Sequence, residues 1–172
     1  MEVKVNIGID LDGVLTNYRK FAIEQGQKYC EENNKGKLEN PAINGASENI
    51  KKLKEDGHTI FIITARKFAT PDDNCKEEIR EKMKKTVKEW LAKNEIEYDY
   101  IIFSSEDKSK YIIENNIDVM VEDSPNNVKR LSKLTKIICM DWPYNKGIEN
   151  DNIYRCYNWN EIYDKILEIN KK

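Results

Sequence analysis

Five short apolar runs set the pattern of this chain, and stretches with helical spacing lie between them. Val3, Val5, Ile7 and Ile9 alternate with Lys4, Asn6 and Gly8, the period of two that a strand shows. Thr59–Ile63 is an unbroken run that reads as a central strand buried on both faces, Tyr100–Phe103 reads as the next buried strand, and Val119–Val121 and Lys136–Met140 read as a fourth and a fifth strand. The intervals carry helix signals. Ala46, Ile50 and Leu53 share one face, with Gly57 where a glycine stops a helix. Thr70-Pro71-Asp72-Asp73 is a helix-start signal ahead of the stripe Ile79, Met83, Val87, Trp90 and Leu91, which ends near Asn94. Tyr111, Ile112 and Glu114 mark a short helix, and Ser124-Pro125 opens another with Val128, Leu131 and Leu134. Asp141 to Tyr157 reads as loop-rich. Asn158 or Asn160 then caps a last helix with Ile162, Ile166 and Ile169 on its buried side. Strand and helix in alternation predict a parallel sheet with helices on both faces, a three-layer α/β/α sandwich.

Composition narrows the function. The chain has 172 residues, the length of one domain, so 1–172 is expected to fold as a single unit. Its 29 basic and 31 acidic residues nearly balance, which argues against a nucleic-acid binder working through a basic face. The apolar runs are too short to span a membrane. Met1 leads straight into a strand without a signal peptide, so a cytoplasmic location is expected. Cys30, Cys75, Cys139 and Cys156 show no CxxC spacing and read as free thiols. The single histidine, His58, follows Glu55-Asp56-Gly57 and reads as a loop residue, which leaves little material for a Ser-His-Asp or Cys-His mechanism.

Polar residues stand just past the strand ends. Asp10 and Asp12 follow the first strand, and Gly13 lets the chain turn there. Thr64 follows the second. Lys108 lies in the loop after the third, and Glu122 and Asp123 follow the fourth. In a parallel sheet these ends open on one edge, where such sheets place their ligands. If the first and fourth strands are neighbours, four carboxylates crowd together. Two like charges about 4 Å apart repel by about 4 kcal/mol at an effective dielectric of about 20. Such a cluster raises some pKa values or recruits cations, and oxygen ligands without sulfur or imidazole suit Mg²⁺. The same set is complete for phosphoryl transfer. One carboxylate attacks, a second exchanges protons, and the cation, lysine and hydroxyl stabilise charge.

Asp10-Leu11-Asp12-Gly13-Val14, Ile63-Thr64-Ala65-Arg66, Lys108 and Val121-Glu122-Asp123-Ser124-Pro125 resemble the four ordered motifs of the haloacid dehalogenase (HAD) superfamily. The chain is most similar to its 5′-nucleotidase-like branch. The resemblance implies a Rossmann-like sheet with a short cap insert at 17–44, where Tyr18, Phe21, Ala22 and Tyr29 mark a helix running to about Glu32. It implies a Mg²⁺-dependent phosphatase acting through an aspartyl-phosphate on a small phosphorylated substrate. By the same resemblance Asp10 is nucleophile and metal ligand, and Asp12 is general acid/base with its backbone carbonyl on the metal. Thr64 and Ala65 meet the phosphoryl oxygens, Lys108 holds phosphate and nucleophile, and Asp123 is the carboxylate ligand. Glu122 is a ligand or a partner of one. Lys110 is the rival to Lys108. Arg66 either touches substrate or serves as a surface or capping arginine.

Other readings have less support. A response-regulator receiver needs an aspartate where the third strand ends Phe103-Ser104-Ser105, and a P-loop is missing. A fold that binds a phosphorylated ligand without turnover is the main rival, since fold does not determine function. Nucleotides, sugar phosphates and capsule precursors present the same monoester. The short insert also leaves open a larger substrate or a homodimer partner acting as lid.

Overall fold

The computed structural model describes residues 3–17, 38 and 40–171. The helix expected from Tyr18 to Glu32, and with it most of the 17–44 insert and Cys30, lies outside the described residues. Among the described residues six strands form one parallel sheet: β1 (Asn6–Ile9), β2 (Thr59–Thr64), β3 (Tyr100–Phe103), β4 (Val119–Glu122), β5 (Lys136–Met140) and β6 (Ile153–Cys156). Their spatial order is β3-β2-β1-β4-β5-β6. The helices between them are α1 (Ala46–Glu55), α2 (Glu77–Lys93), α3 (Ser109–Glu114), α4 (Pro125–Leu131) and α5 (Trp159–Ile169).

The period of two along the strands divides the core into two layers. Ile7, Ile9, Ile60, Ile62, Val119, Val121 and Ile138 face one side, packed with Ile50 and Leu53 of α1, Met83, Val87, Trp90 and Leu91 of α2, and Trp159, Ile162 and Ile166 of α5. Phe61, Ile63, Met120, Ile137 and Cys139 face the other, packed with Ile112 of α3 and Val128 and Leu131 of α4. Both faces are therefore covered, which is why the strands read as unbroken apolar runs. Gly57 follows α1 at φ 87°, and its N–H bonds the Lys54 carbonyl, as expected for a helix-stopping glycine.

Several expectations are corrected. β1 begins at Asn6, not Val3. The third run is an edge strand with Tyr100 exposed, not a buried one, because among the described residues β2 alone pairs with it. α2 begins at Glu77. Thr70 to Asp73 instead form a turn in which the Asp73 carboxylate accepts from Phe68 N and the Thr70 hydroxyl accepts from Asp72 N. These side chains compete for backbone donors and delay the helix. Ile79, in the first turn, is accordingly 46% exposed and outside the core. Leu134 lies beyond α4 and is exposed as well. The loop-rich stretch holds β6 and a short 3-10 turn, Pro143–Asn145. Asn158, not Asn160, caps α5, accepting from Glu161 N at 2.9 Å. His58 lies in the loop before β2, as expected, and is buried there with its Nδ1 accepting from Val5 N at 3.3 Å. No described helix is long and apolar enough to cross a membrane.

Asp99 ties the start of β3 to its neighbours. Its carboxylate accepts from Ile60 N at 2.8 Å and from Lys54 Nζ. Slight burial works against the charge, but these donors outweigh it and hold Asp99 below the ordinary aspartate range. A depressed folded pKa contributes stability that is present above the unfolded value, about 3.9, and is lost as pH falls through the folded value. Asp99→Asn is therefore expected to be less stable than wild type at pH 7. In urea titrations the gap should close as pH falls below about 3.9.

Candidate active site

β1 and β4 are neighbours, with Ile7, Gly8 and Ile9 paired to Val119, Met120 and Val121. The chain order reverses here, with β2 on one side of β1 and β4 on the other, and the strand ends open a crevice at that point. Asp10 N donates to Val121 O at 3.1 Å, so the first aspartate stands beside the acidic pair of β4. A cavity of about 320 Å³ opens there. It is lined by Asp10, Asp12, Thr64, Ala65, Lys108, Glu122 and Ser124, with Lys67, Thr70, Asp72, Asp73, Glu106 and Asn127 farther round.

Lys108 is the centre of the floor. It is 1% exposed, and its Nζ lies 2.8 Å from Asp10 Oδ1 and 2.8 Å from Glu122 Oε2. Its own N–H is 3.4 Å from Asn127 Oδ1, and Asn127 Nδ2 donates to Glu106 O at 2.9 Å, which fixes the loop ahead of α3. Lys110 is exposed and pairs with Glu114 at 3.8 Å, away from the cavity.

The two carboxylates on Lys108 differ in their other donors. Glu122 Oε1 accepts from Asp123 N and Ser124 N, both at 3.0 Å, so both its oxygens are held. Burial would raise Glu122, but Lys108, the Asp10 side chain and the Ser124 N–H outweigh it and hold it at about 2. Asp10 takes Leu11 N at 2.8 Å on the same Oδ1 that Lys108 contacts. Burial first, then the charges of Glu122 and Asp123, push Asp10 well above the ordinary range despite Lys108. Burial disfavours the charge on Lys108 too, but Asp10 and Glu122 hold its ammonium above the usual lysine value. One cation thus serves two carboxylates, with Asp123 buried beside them, and excess negative charge remains.

One carboxylate oxygen each from Asp10, Glu122 and Asp123 lies within 4.8 Å of the others. This all-oxygen set fits a hard divalent cation such as Mg²⁺. Asp12 stands apart from it. Its Oδ1 pairs with Arg66 Nη1 at 2.7 Å and accepts from the Thr16 hydroxyl at 3.4 Å. Arg66 is 3% exposed, so it is neither a surface arginine nor part of the cavity lining. Thr64 Oγ1 accepts from Arg66 N at 3.1 Å, which leaves the hydroxyl's own proton to donate.

The turn after Asp12 is pinned by residues that sequence reasoning missed. Gly13 adopts φ 84°. Trp142 Nε1 donates to Gly13 O at 2.7 Å, and Trp159 Nε1 donates to Val14 O at 3.0 Å. Tyr144 OH donates to Asp123 Oδ2, and Asn145 Nδ2 donates to Asp123 O at 2.9 Å. The available signal was Trp142-Pro143-Tyr144-Asn145, a cluster of donor-bearing side chains at the same edge of the sheet, after β5.

Residues 36–172 match the family model described as 5′ nucleotidase, deoxy (pyrimidine), cytosolic type C protein. The matched region starts after β1, so Asp10 and Asp12 precede it. Over 84 residues the chain is 37% identical to a nucleotidase of Clostridium acetobutylicum, covering 46% of this chain and 44% of that relative. The chain thus spans less than half the length of the curated relative it matches. Among solved structures it is similar to the D,D-heptose 1,7-bisphosphate phosphatase of Burkholderia thailandensis, with TM-score 0.64, 14% identity and coverage of 95% and 99% of the two chains. The corresponding phosphatase of B. bronchiseptica, complexed with magnesium and phosphate, gives TM-score 0.64 at 14% identity over 97% and 99%. At that identity these two show a shared fold.

Replacing Lys108 by Met would leave Asp10 and Glu122 buried without their cation. Lys108→Met is expected to lose about 3–5 kcal/mol at neutral pH. Urea unfolding checks this, and the loss should shrink in acid as the carboxylates protonate.

Proposed function

The chain belongs to the cytosolic type C 5′-nucleotidase family, and on that premise we propose that it hydrolyses phosphate monoesters through an aspartyl-phosphate on Asp10. The observation that carries this reading is the buried Lys108, bound at once to Asp10 and Glu122 on the floor of a cavity that Asp12 and Thr64 also line. Asp10 and Asp123, with the Asp12 carbonyl, are the groups that would hold Mg²⁺, and Glu122 stands beside them. When bound, the ion neutralises charge on the phosphoryl oxygens.

Asp10 Oδ1 is held by Lys108 and Leu11 N, so Oδ2 is the oxygen that attacks phosphorus. The P–O bond to the leaving group breaks as the new bond forms. Asp12 gives its proton to the leaving oxygen, then takes one from the water that attacks the aspartyl-phosphate and releases phosphate. Arg66 and Thr16 contact Asp12 on Oδ1, which leaves Oδ2 for both proton transfers. Lys108, the Thr64 hydroxyl and the backbone at Ala65 stabilise the transferred group. Glu122 has both oxygens occupied, so its main part is to hold Lys108.

The family match and the nucleotidase relative support a nucleoside monophosphate as substrate. With Mg²⁺ and p-nitrophenyl phosphate, wild type is expected to turn over. Asp10→Asn should lose on the order of 10³-fold or more in kcat. Equal activity in Asp10→Asn would remove the mechanism. Phosphate release from a panel of nucleotides and sugar phosphates tests the substrate. Turnover of sugar phosphates with none of nucleotides would overturn the nucleotidase reading and favour a sugar-phosphate or capsule-precursor phosphatase.

A further inference from the structure

The turn between β5 and β6 reaches the site at Gly13 and Asp123. Tyr144 OH donates to Asp123 Oδ2. Asn145, fully buried, donates to the carbonyls of Asp123 at 2.9 Å and Met140 at 2.8 Å. The rings of Trp142 and Tyr144 stack with centroids 6.2 Å apart and planes 10° apart, while Trp142 bonds the Gly13 carbonyl. The turn is itself clamped from β6. Arg155 Nη1 donates to Asp141 Oδ1 and Asn145 Oδ1, both at 2.8 Å, and Nη2 donates to Asn145 O at 2.9 Å. Gly13 completes the contact. A Cβ there would lie 2.0 Å from Asp123 Oδ2 and 3.1 Å from the Tyr144 hydroxyl. The bare glycine, the carboxylate and the phenol therefore meet at one point.

We infer that Tyr144 is a positioning residue that sets the orientation of Asp123, keeping its carboxylate turned toward Asp10 and Glu122 for a divalent cation. The inference rests on the reading of Asp10 and Asp123 as the groups that hold the cation of a phosphatase. A carboxylate that must be ordered on binding loses rotamer freedom at that moment, and a donor on one oxygen removes this cost beforehand. The donor is a neutral phenol, which orients the carboxylate without cancelling its charge. A lysine or arginine in its place would compete with the incoming cation. Glu122 shows the contrast, since Lys108 and two backbone N–H groups occupy its oxygens. Outer partners of this kind typically change metal affinity or activity by about 10–100-fold when removed.

The test is Mg²⁺ binding to wild type and Tyr144→Phe by titration calorimetry. It is paired with the Mg²⁺-induced rise in Tm measured from each protein's own metal-free value. Tyr144→Phe is expected to raise the Mg²⁺ Kd by about 10–100-fold and to shrink the Tm rise, while metal-free unfolding stays cooperative. In an Asp123→Asn background the further change Tyr144→Phe should leave the Mg²⁺-induced rise unaltered. An unchanged Kd in Tyr144→Phe beside an active, Mg²⁺-binding wild type overturns this inference and leaves the phosphatase reading intact. An equal further loss in the Asp123→Asn background marks a merely structural role and also overturns it. A wild type that neither binds Mg²⁺ nor hydrolyses a phosphomonoester overturns both.

Discussion

A single buried ammonium joins the ends of two neighbouring strands in the candidate active site. Lys108 comes from the loop after β3, Asp10 from the end of β1 and Glu122 from the end of β4, and the three meet at 2.8 Å. Without the lysine, two carboxylates would be buried side by side in a medium where charge is costly. With it, one charge is offset and the arrangement remains net negative once Asp123 is counted. An all-oxygen set with an excess of negative charge suits a hard divalent cation.

Sheet order makes this convergence available. β1 lies between β2 and β4, so the strand-end residues Asp10, Thr64 and Glu122 come from three adjacent strands. The reversal of chain order beside β1 opens the crevice, and the turn at Gly13 must leave it without blocking it. Gly13 does so at φ 84°, in a place where any side chain would strike Asp123. Backbone carbonyls freed by that turn are taken up by indole donors, Trp142 on Gly13 and Trp159 on Val14. Those tryptophans belong to the last third of the chain, so the C-terminal elements brace the first motif.

Much of the fold was legible because burial on both faces of a sheet leaves unbroken apolar runs such as Thr59–Ile63 and Val119–Val121. The misreadings have local causes. β6, Ile153-Tyr154-Arg155-Cys156, is an edge strand of four residues with a charge inside it, so its pattern is weak. Thr70 to Asp73 carry a helix-start signal, yet their side chains bond the backbone as a turn and α2 waits until Glu77. Ile79 fits the apolar stripe by spacing alone and is exposed because it stands in the first turn of the helix. In the site, the sequence favours Lys108 over Lys110 because it stands nearer the loop and the helix start, and tertiary placement buries Lys108 on Asp10 and leaves Lys110 exposed beside Glu114.

By itself the sequence determined the alternation of strand and helix, the carboxylates, hydroxyl and lysine at strand ends, and hence the chemistry they could share. Those properties are local, since period and residue type are read within a few positions. Tertiary structure decided which oxygens face which donors. Arg66 became the partner of Asp12, Glu122 the partner of Lys108, and Tyr144 the partner of Asp123. Each of these pairs joins residues 14 to 54 positions apart. Contacts at such separation depend on strand order and on how loops return over the sheet edge, and no local pattern encodes them.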